Sequence, residues 1–277
     1  MPSITDILRS TQGGRYFNDG PPTWSQRGGG SKTKEAAERE SDHLAKALRR
    51  DGEDDALELA DVLYGCMRPD DPCLDGACPI CGRAAQRLLV HACQPVYREH
   101  RKNMFAVNII WGNAAIDYGD LDGQPLFRPL RAHLTSALAD LRIPAIVGFD
   151  VSANEHENGA FNGHWMPHAW MLVPGREIEL VEMRFRRRFP PDDLTRFPVV
   201  MKKFDGNFAG IAYALKSDFY RRISIEFDKP RNRPIWREKR IELAFALHRE
   251  GLNRRLLLHG FDLVARRGDV RMERVDF

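Results

Sequence analysis

No stretch of the 277 residues reaches 18 consecutive apolar side chains, the length a helix needs to cross a bilayer. A membrane is therefore not expected among the partners. The opening, MPSITDILRS, lacks a basic run leading into an apolar one, so no secretory signal is read there. Cysteine is scarce, at five residues. In the reducing, cytoplasmic setting this implies, thiols are expected to bind metal rather than pair as disulfides. A large excess of one charge is also missing: 42 Lys+Arg face 39 Asp+Glu. The segment from Gly28 to Thr33 lacks the Gly-Lys-Thr ending after four spacers, which excludes a phosphate loop. Internal repeats are absent as well.

What is present is enough to build a core, with 43% hydrophobic residues. Residues 1–31 read as a flexible N-terminal segment, rich in Gly, Pro and Ser from residue 10. Residues 32–100 read as helical, with apolar stripes at Leu44, Ala47 and Leu48 and then at Ala56, Leu59, Ala60 and Leu63. Another helix is expected over 83–93. Residues 101–235 read as the core. Strands are predicted at 104–111, 145–151, 168–173 and 178–185, and helices at 128–141 and 208–220, with 221–235 irregular. A helical extension closes the chain over 236–277, its long helix at 236–258 interrupted near Gly251. This order predicts an α+β fold, an antiparallel sheet core flanked by helices.

Cys66, Cys73, Cys78 and Cys81 fall within sixteen residues, the last pair as Cys-Pro-Ile-Cys-Gly. Four thiolates so close suit tetrahedral zinc in a closed, structural site. His91 is an alternative to Cys66 as a ligand. Cys93 sits where a helix is expected and reads as a buried thiol.

Three other groups carry chemistry. Asp150, His164 and His168 together offer a carboxylate and two imidazoles for a divalent ion; roles at a loop and a strand edge compete with this. Tyr213 and Lys216 share a helical face, as a tyrosine nucleophile and an assisting lysine would, or as a core tyrosine beside a surface lysine. Tyr220, two helical turns on, is the fallback nucleophile. Charge is also uneven: residues 176–240 hold 17 Lys+Arg against 10 Asp+Glu. Arg184, Arg186, Arg187, Arg188, Lys202 and Lys203 are the candidate DNA contacts there, against a reading as a solvated basic surface.

Taken in order, these segments resemble a divergent plasmid rolling-circle replication initiator of the His-hydrophobic-His (HUH) endonuclease superfamily. CPICGRAAQR at 78–87 is similar to that family's Cys-Pro-x-Cys knuckle followed by basic residues. FAVN at 105–108 resembles its first strand motif, with Asn108 in the threonine position. Asp150-Val151-Ser152 matches its Glu-Val-Thr-like strand. PHAWMLV at 167–173 resembles its Pro-His-x-His strand, and YALK at 213–216 its Tyr-x-x-Lys. The likeness spans roughly residues 64–220. It departs from the family at Trp170, which stands where the second metal-binding histidine is found.

The resemblance implies an HUH-endonuclease-like fold, a catalytic Mg²⁺ or Mn²⁺, and single-stranded or origin DNA as partner alongside replication machinery. It also implies a nicking reaction in which tyrosine becomes linked to a 5′ phosphate. Trp170 instead favours a non-catalytic, DNA-binding relative with a degenerate site. A zinc-stabilised protein with no nucleic-acid role is the third reading.

Overall fold

The computed structural model describes residues 2–10, 13–18, 32–67, 71–100, 103–175, 178–207, 212, 215–216, 219–225, 231–266 and 269–275. Helix α1 (Ile4–Arg9) begins in a reciprocal cap between Ser3 and Asp6 and buries Ile4, Ile7 and Leu8. Residues 3–17, expected to be part of a flexible lead-in, thus include a packed turn of helix and a buried Tyr16. The glycine-rich run at 19–31 lies outside the described residues. Helices α2 (Lys34–Asp51) and α3 (Asp54–Gly65) form where their apolar stripes predict, with Gly52 turning left-handed (φ 87°) between them. Helix α4 (Pro79–His100) extends the expected 83–93 in both directions and holds Cys93 fully inside, where burial pushes its thiol up.

The sheet is built from β1 (Met104–Ile110), β2 (Ile116–Asp117), β3 (Ala145–His156), β4 (His164–Pro174), β5 (Val199–Lys203), β6 (Tyr220–Ser224), β7 (Arg231–Pro234) and β8 (Leu256–His259). The main order is β5-β1-β4-β3-β6-β7; β2 pairs β4, and β8 pairs β3. The sheet is mixed, not purely antiparallel as expected, because β6 runs parallel to β3. It shares that edge of β3 with β8, which is antiparallel against residues 145–148.

Odd-numbered residues such as Val107, Phe149 and Met171 are buried on one face. There α5 (Arg128–Leu141) packs, with Phe127 at its start 6.1 Å from the Phe149 ring.

Residues 178–185, predicted to be a strand, instead belong to helix α6 (Ile178–Arg188). The stripe that decides this is Val181, Phe185 and Phe189, at a spacing of four; all three are buried, while Met183 is 59% exposed. Within the segment 221–235, expected to be irregular, the described residues include strands β6 and β7, while 226–230 lie outside the described residues. Helix α7 (Arg237–Arg254) is broken at Gly251 (φ 65°), and the chain ends in a hairpin, β9 (Phe261–Arg266) with β10 (Asp269–Arg274). The alternation of buried Phe261 and Leu263 with half-buried Asp262 and Val264 is a strand period, so the extension is not wholly helical.

Candidate functional site

Two groups of chemically capable residues stand out. The first is the cysteine cluster. Cys66 caps α3, Cys78 precedes α4, and Pro79 and Cys81 lie in its first turn. Proline suits that position because its missing N–H would have no helical partner. Leu74, between them, adopts a left-handed backbone (φ 54°), and its N–H donates to Cys81 Sγ at 3.2 Å. Cys66 Sγ is 3.4 Å and Cys73 Sγ 3.7 Å from Cys81 Sγ, and all four sulfurs lie within 4.8 Å of one another. An ion with metal–sulfur bonds of about 2.3 Å in a tetrahedron requires sulfurs about 3.8 Å apart.

All five cysteines are free thiols. Burial and the neighbouring sulfurs push the Cys78 thiol up, and Cys66 and Cys73 push up that of Cys81. Hydrogen bonds from Cys73, Cys78 and Cys81 pull Cys66 down. Four sulfurs this close cannot all ionise unaided, and a bound dication removes that penalty. His91 plays no part: it bonds Asp269 at 2.8 Å. The loop docks on α7 through Gly76, where a Cβ would fall 2.1 Å from the Leu247 carbonyl oxygen.

The second group lies on the even-numbered sheet face. Strand register sets Asn108 of β1 opposite Trp170 of β4, and Trp170 opposite Gly148 of β3. One step along, Ile110, His168 and Asp150 form the next row. The three strand segments that carry the family resemblance therefore lie side by side, with the histidine strand in the middle. Above them opens a trough of about 560 Å³, lined by Asn108, His168 and Trp170, by Lys202 and Lys216, and by Tyr220, Arg222 and Asn232 from the β6–β7 side. Among the described residues, none that lines it is acidic.

Asp150 lies beneath the trough, wholly buried. Lys216 Nζ sits 2.8 Å from its Oδ2 and His168 Nε2 3.3 Å from the same oxygen, while Arg255 approaches Oδ1 at 4.0 Å. Burial alone would raise the Asp150 carboxyl, but Lys216, His168 and Arg255 outweigh it and hold it below the ordinary range. Arg255 is fixed by donating to the Lys216 carbonyl at 2.6 Å. His168 Nδ1 faces the Met166 carbonyl at 3.2 Å.

Several expected site residues fall elsewhere. His164 is opposite Asn154, not Asp150, and its Nδ1 meets the Asn162 carbonyl at 3.0 Å. Four residues of extended strand put it about 13 Å from His168. The expected set of Asp150, His164 and His168 therefore does not converge; among the described residues only the four cysteines gather three or more metal-ligating side chains. A catalytic divalent ion does not fit this arrangement, because one imidazole is out of reach, Trp170 offers no ligand, and Asp150 already faces two protein cations.

Lys216 pairs with Asp150, while Tyr213 lies outside the described residues. Tyr220 opens strand β6, not the end of a helix, and is half exposed on the trough wall. Arg184, Arg186, Arg187 and Arg188 belong to α6, and none of them lines the trough. Arg186 bonds Glu182 at 2.7 Å, and Arg188 bonds Ser136 at 3.0 Å. Lys202 faces the trough, whereas Lys203, the next residue in the strand, faces away. Comparison with protein-family models, curated proteins and solved structures finds no match to this chain.

Arg222 and Arg255 escaped the sequence reading. Arg222 had a usable signal in its alternation with Tyr220. Arg255 had none, because its position follows a broken helix and its partner lies 105 residues earlier in the chain.

Proposed function

We propose that the chain binds single-stranded DNA in the trough and nicks it in the manner of a rolling-circle initiator. What supports this is a sheet face with Lys202, Lys216 and Arg222, the aromatic rings of Trp170 and Tyr220, and no carboxylate among the described residues of its lining. Cations that follow a phosphate backbone, interleaved with rings on which bases stack, are the chemistry of single-strand binding. In the nicking step a tyrosine oxygen attacks phosphorus and the bond to the 3′ oxygen breaks. The phenolic proton ends on that leaving oxygen, and the 5′ phosphate stays on the protein. Tyr213, three residues before Lys216, is the first candidate and Tyr220 the second.

Incubation with single-stranded DNA from the chain's own replicon, resolved on denaturing gels, is expected to give a protein–DNA adduct and a free 3′ hydroxyl. Tyr213→Phe should remove the adduct while DNA affinity is kept. An adduct that survives this change and maps to Tyr220 moves the assignment; no adduct with intact DNA binding selects the second reading. That reading, binding without cleavage, is favoured by Trp170 at the position of a histidine ligand and by the non-convergence of the other candidate ligands.

The binding half has its own test. Fluorescence anisotropy with a labelled single strand should show affinity falling with salt. Lys202→Ala and Arg222→Ala should each reduce the slope of log affinity against log salt by about 0.7. Trp170→Ala should cost about 1–3 kcal/mol through lost stacking. Arg186→Ala, on α6, should leave both unchanged. The ion we assign to the four cysteines is zinc, which the sulfur set and spacing favour over harder ions.

A further inference from the structure

We propose that the phosphate-binding charge at the centre of the trough is the ammonium of Lys216, seated on Asp150, and that the site grips a phosphodiester without a divalent ion. The inference rests on the nucleic-acid reading and alters its chemistry: the related family places a metal here.

The buried charges argue for it. Asp150 carries one negative charge, while Lys216 and Arg255 carry two positive charges, all three within 4.0 Å contacts. Arg255 is 1% exposed and directed at Asp150 and the Lys216 carbonyl. It neutralises the carboxylate from behind. Lys216 lines the trough on the other side. Among the described residues these three groups sum to one positive charge on the trough side, in a setting of low dielectric where a charge acts more strongly than in water. His168 stands beside it on the same carboxylate oxygen, with Nε2 at 3.3 Å. A cation placed at that oxygen would have to displace Lys216 and would meet Arg255 behind it. The ring of Trp170 occupies the next same-facing position on β4, where it supplies a stacking surface in place of a ligand.

The decisive experiment uses the full zinc-loaded chain and two readouts. Oligothymidylate binding is measured by anisotropy in chelator-free buffer depleted of free divalent ions and in Mn²⁺, for the wild type, K216M and K216R. Binding of Mn²⁺ itself is followed by electron paramagnetic resonance, for the wild type and H168A. The expected result is equal oligothymidylate affinity with and without ion, a loss of about tenfold in K216M, and recovery in K216R. Mn²⁺ titrations of the wild type and H168A should superimpose. K216M should remain folded, because Asp150 and Arg255 still balance one another.

Wild-type binding that is absent without added divalent ion and appears with Mn²⁺ while the zinc content stays at one per chain, or a bound Mn²⁺ lost in H168A, would overturn the proposal and leave the nucleic-acid reading standing. K216M binding as tightly as wild type would overturn it too. No oligothymidylate binding under any ion would instead remove the nucleic-acid reading, and the phosphate grip with it.

Discussion

Stripping the metal from the cysteine cluster, or replacing Cys81 with serine, should unfold the segment from the end of α3 to the start of α4. Cys81 is completely buried, its sulfur lies within 3.7 Å of two other thiols, and it accepts the Leu74 N–H. Without the ion the site must either protonate its sulfurs or bury their repulsion. Structural zinc contributes about 10–16 kcal/mol to folding in small zinc peptides near neutral pH, comparable with the whole stability of a typical domain. The loss should spread, since the cysteine loop docks on α7 at Gly76 and every residue of α4 from Pro79 to Val90 is buried. Elemental analysis should find one zinc per chain in the wild type. Serine at Cys78 or Cys81 should abolish it, with loss of helical circular dichroism. Fully folded, zinc-free protein under reducing conditions would refute the assignment.

Asp150→Asn should be the most damaging single change away from the cysteines. The substitution preserves shape but removes the buried charge that Lys216 and Arg255 both face. Breaking a buried pair in this way typically costs about 3–5 kcal/mol. The wild type should also show the linkage in its acid response. Because Asp150 is held below its ordinary value, its contribution is complete above the unfolded carboxylate range, near pH ~4. It is lost as pH falls through the lower, folded value. Denaturant melts of both proteins from neutral pH downward should therefore converge under acid conditions. A difference that stays constant with pH would place the effect in packing and not in charge. Lys216→Met, which leaves a balanced pair, should cost much less than Asp150→Asn.

These two sites also show how much the sequence determined. The four-cysteine cluster was legible because side chains that could share one ion must be close in space, and these are close in the chain as well; sixteen residues leave few ways to arrange them. Strands β1, β3 and β4 and helices α2, α3 and α5 were legible for a similar reason, since a local apolar period reports a local face. The period failed at α6, where Ile178, Leu180 and Val181 fit a strand until Phe189 is included, beyond the predicted strand's end. It failed again at the terminal hairpin, which reads as the continuation of a long helix.

The candidate site needed the tertiary fold. Asp150, His168 and Lys216 could each be named as reactive, but which of them meet depends on strand register. A four-residue offset along β4 moves His164 out of reach and leaves Asp150 to Lys216. Arg255 joins them from a position that no local pattern marks. Sheet pairing also separates Lys202 from Lys203 and carries the α6 arginines away from the trough, though all belong to one basic stretch of sequence. Charge along a chain is a property of composition, whereas the face on which it lies is set by the pleat and by which helices cover it.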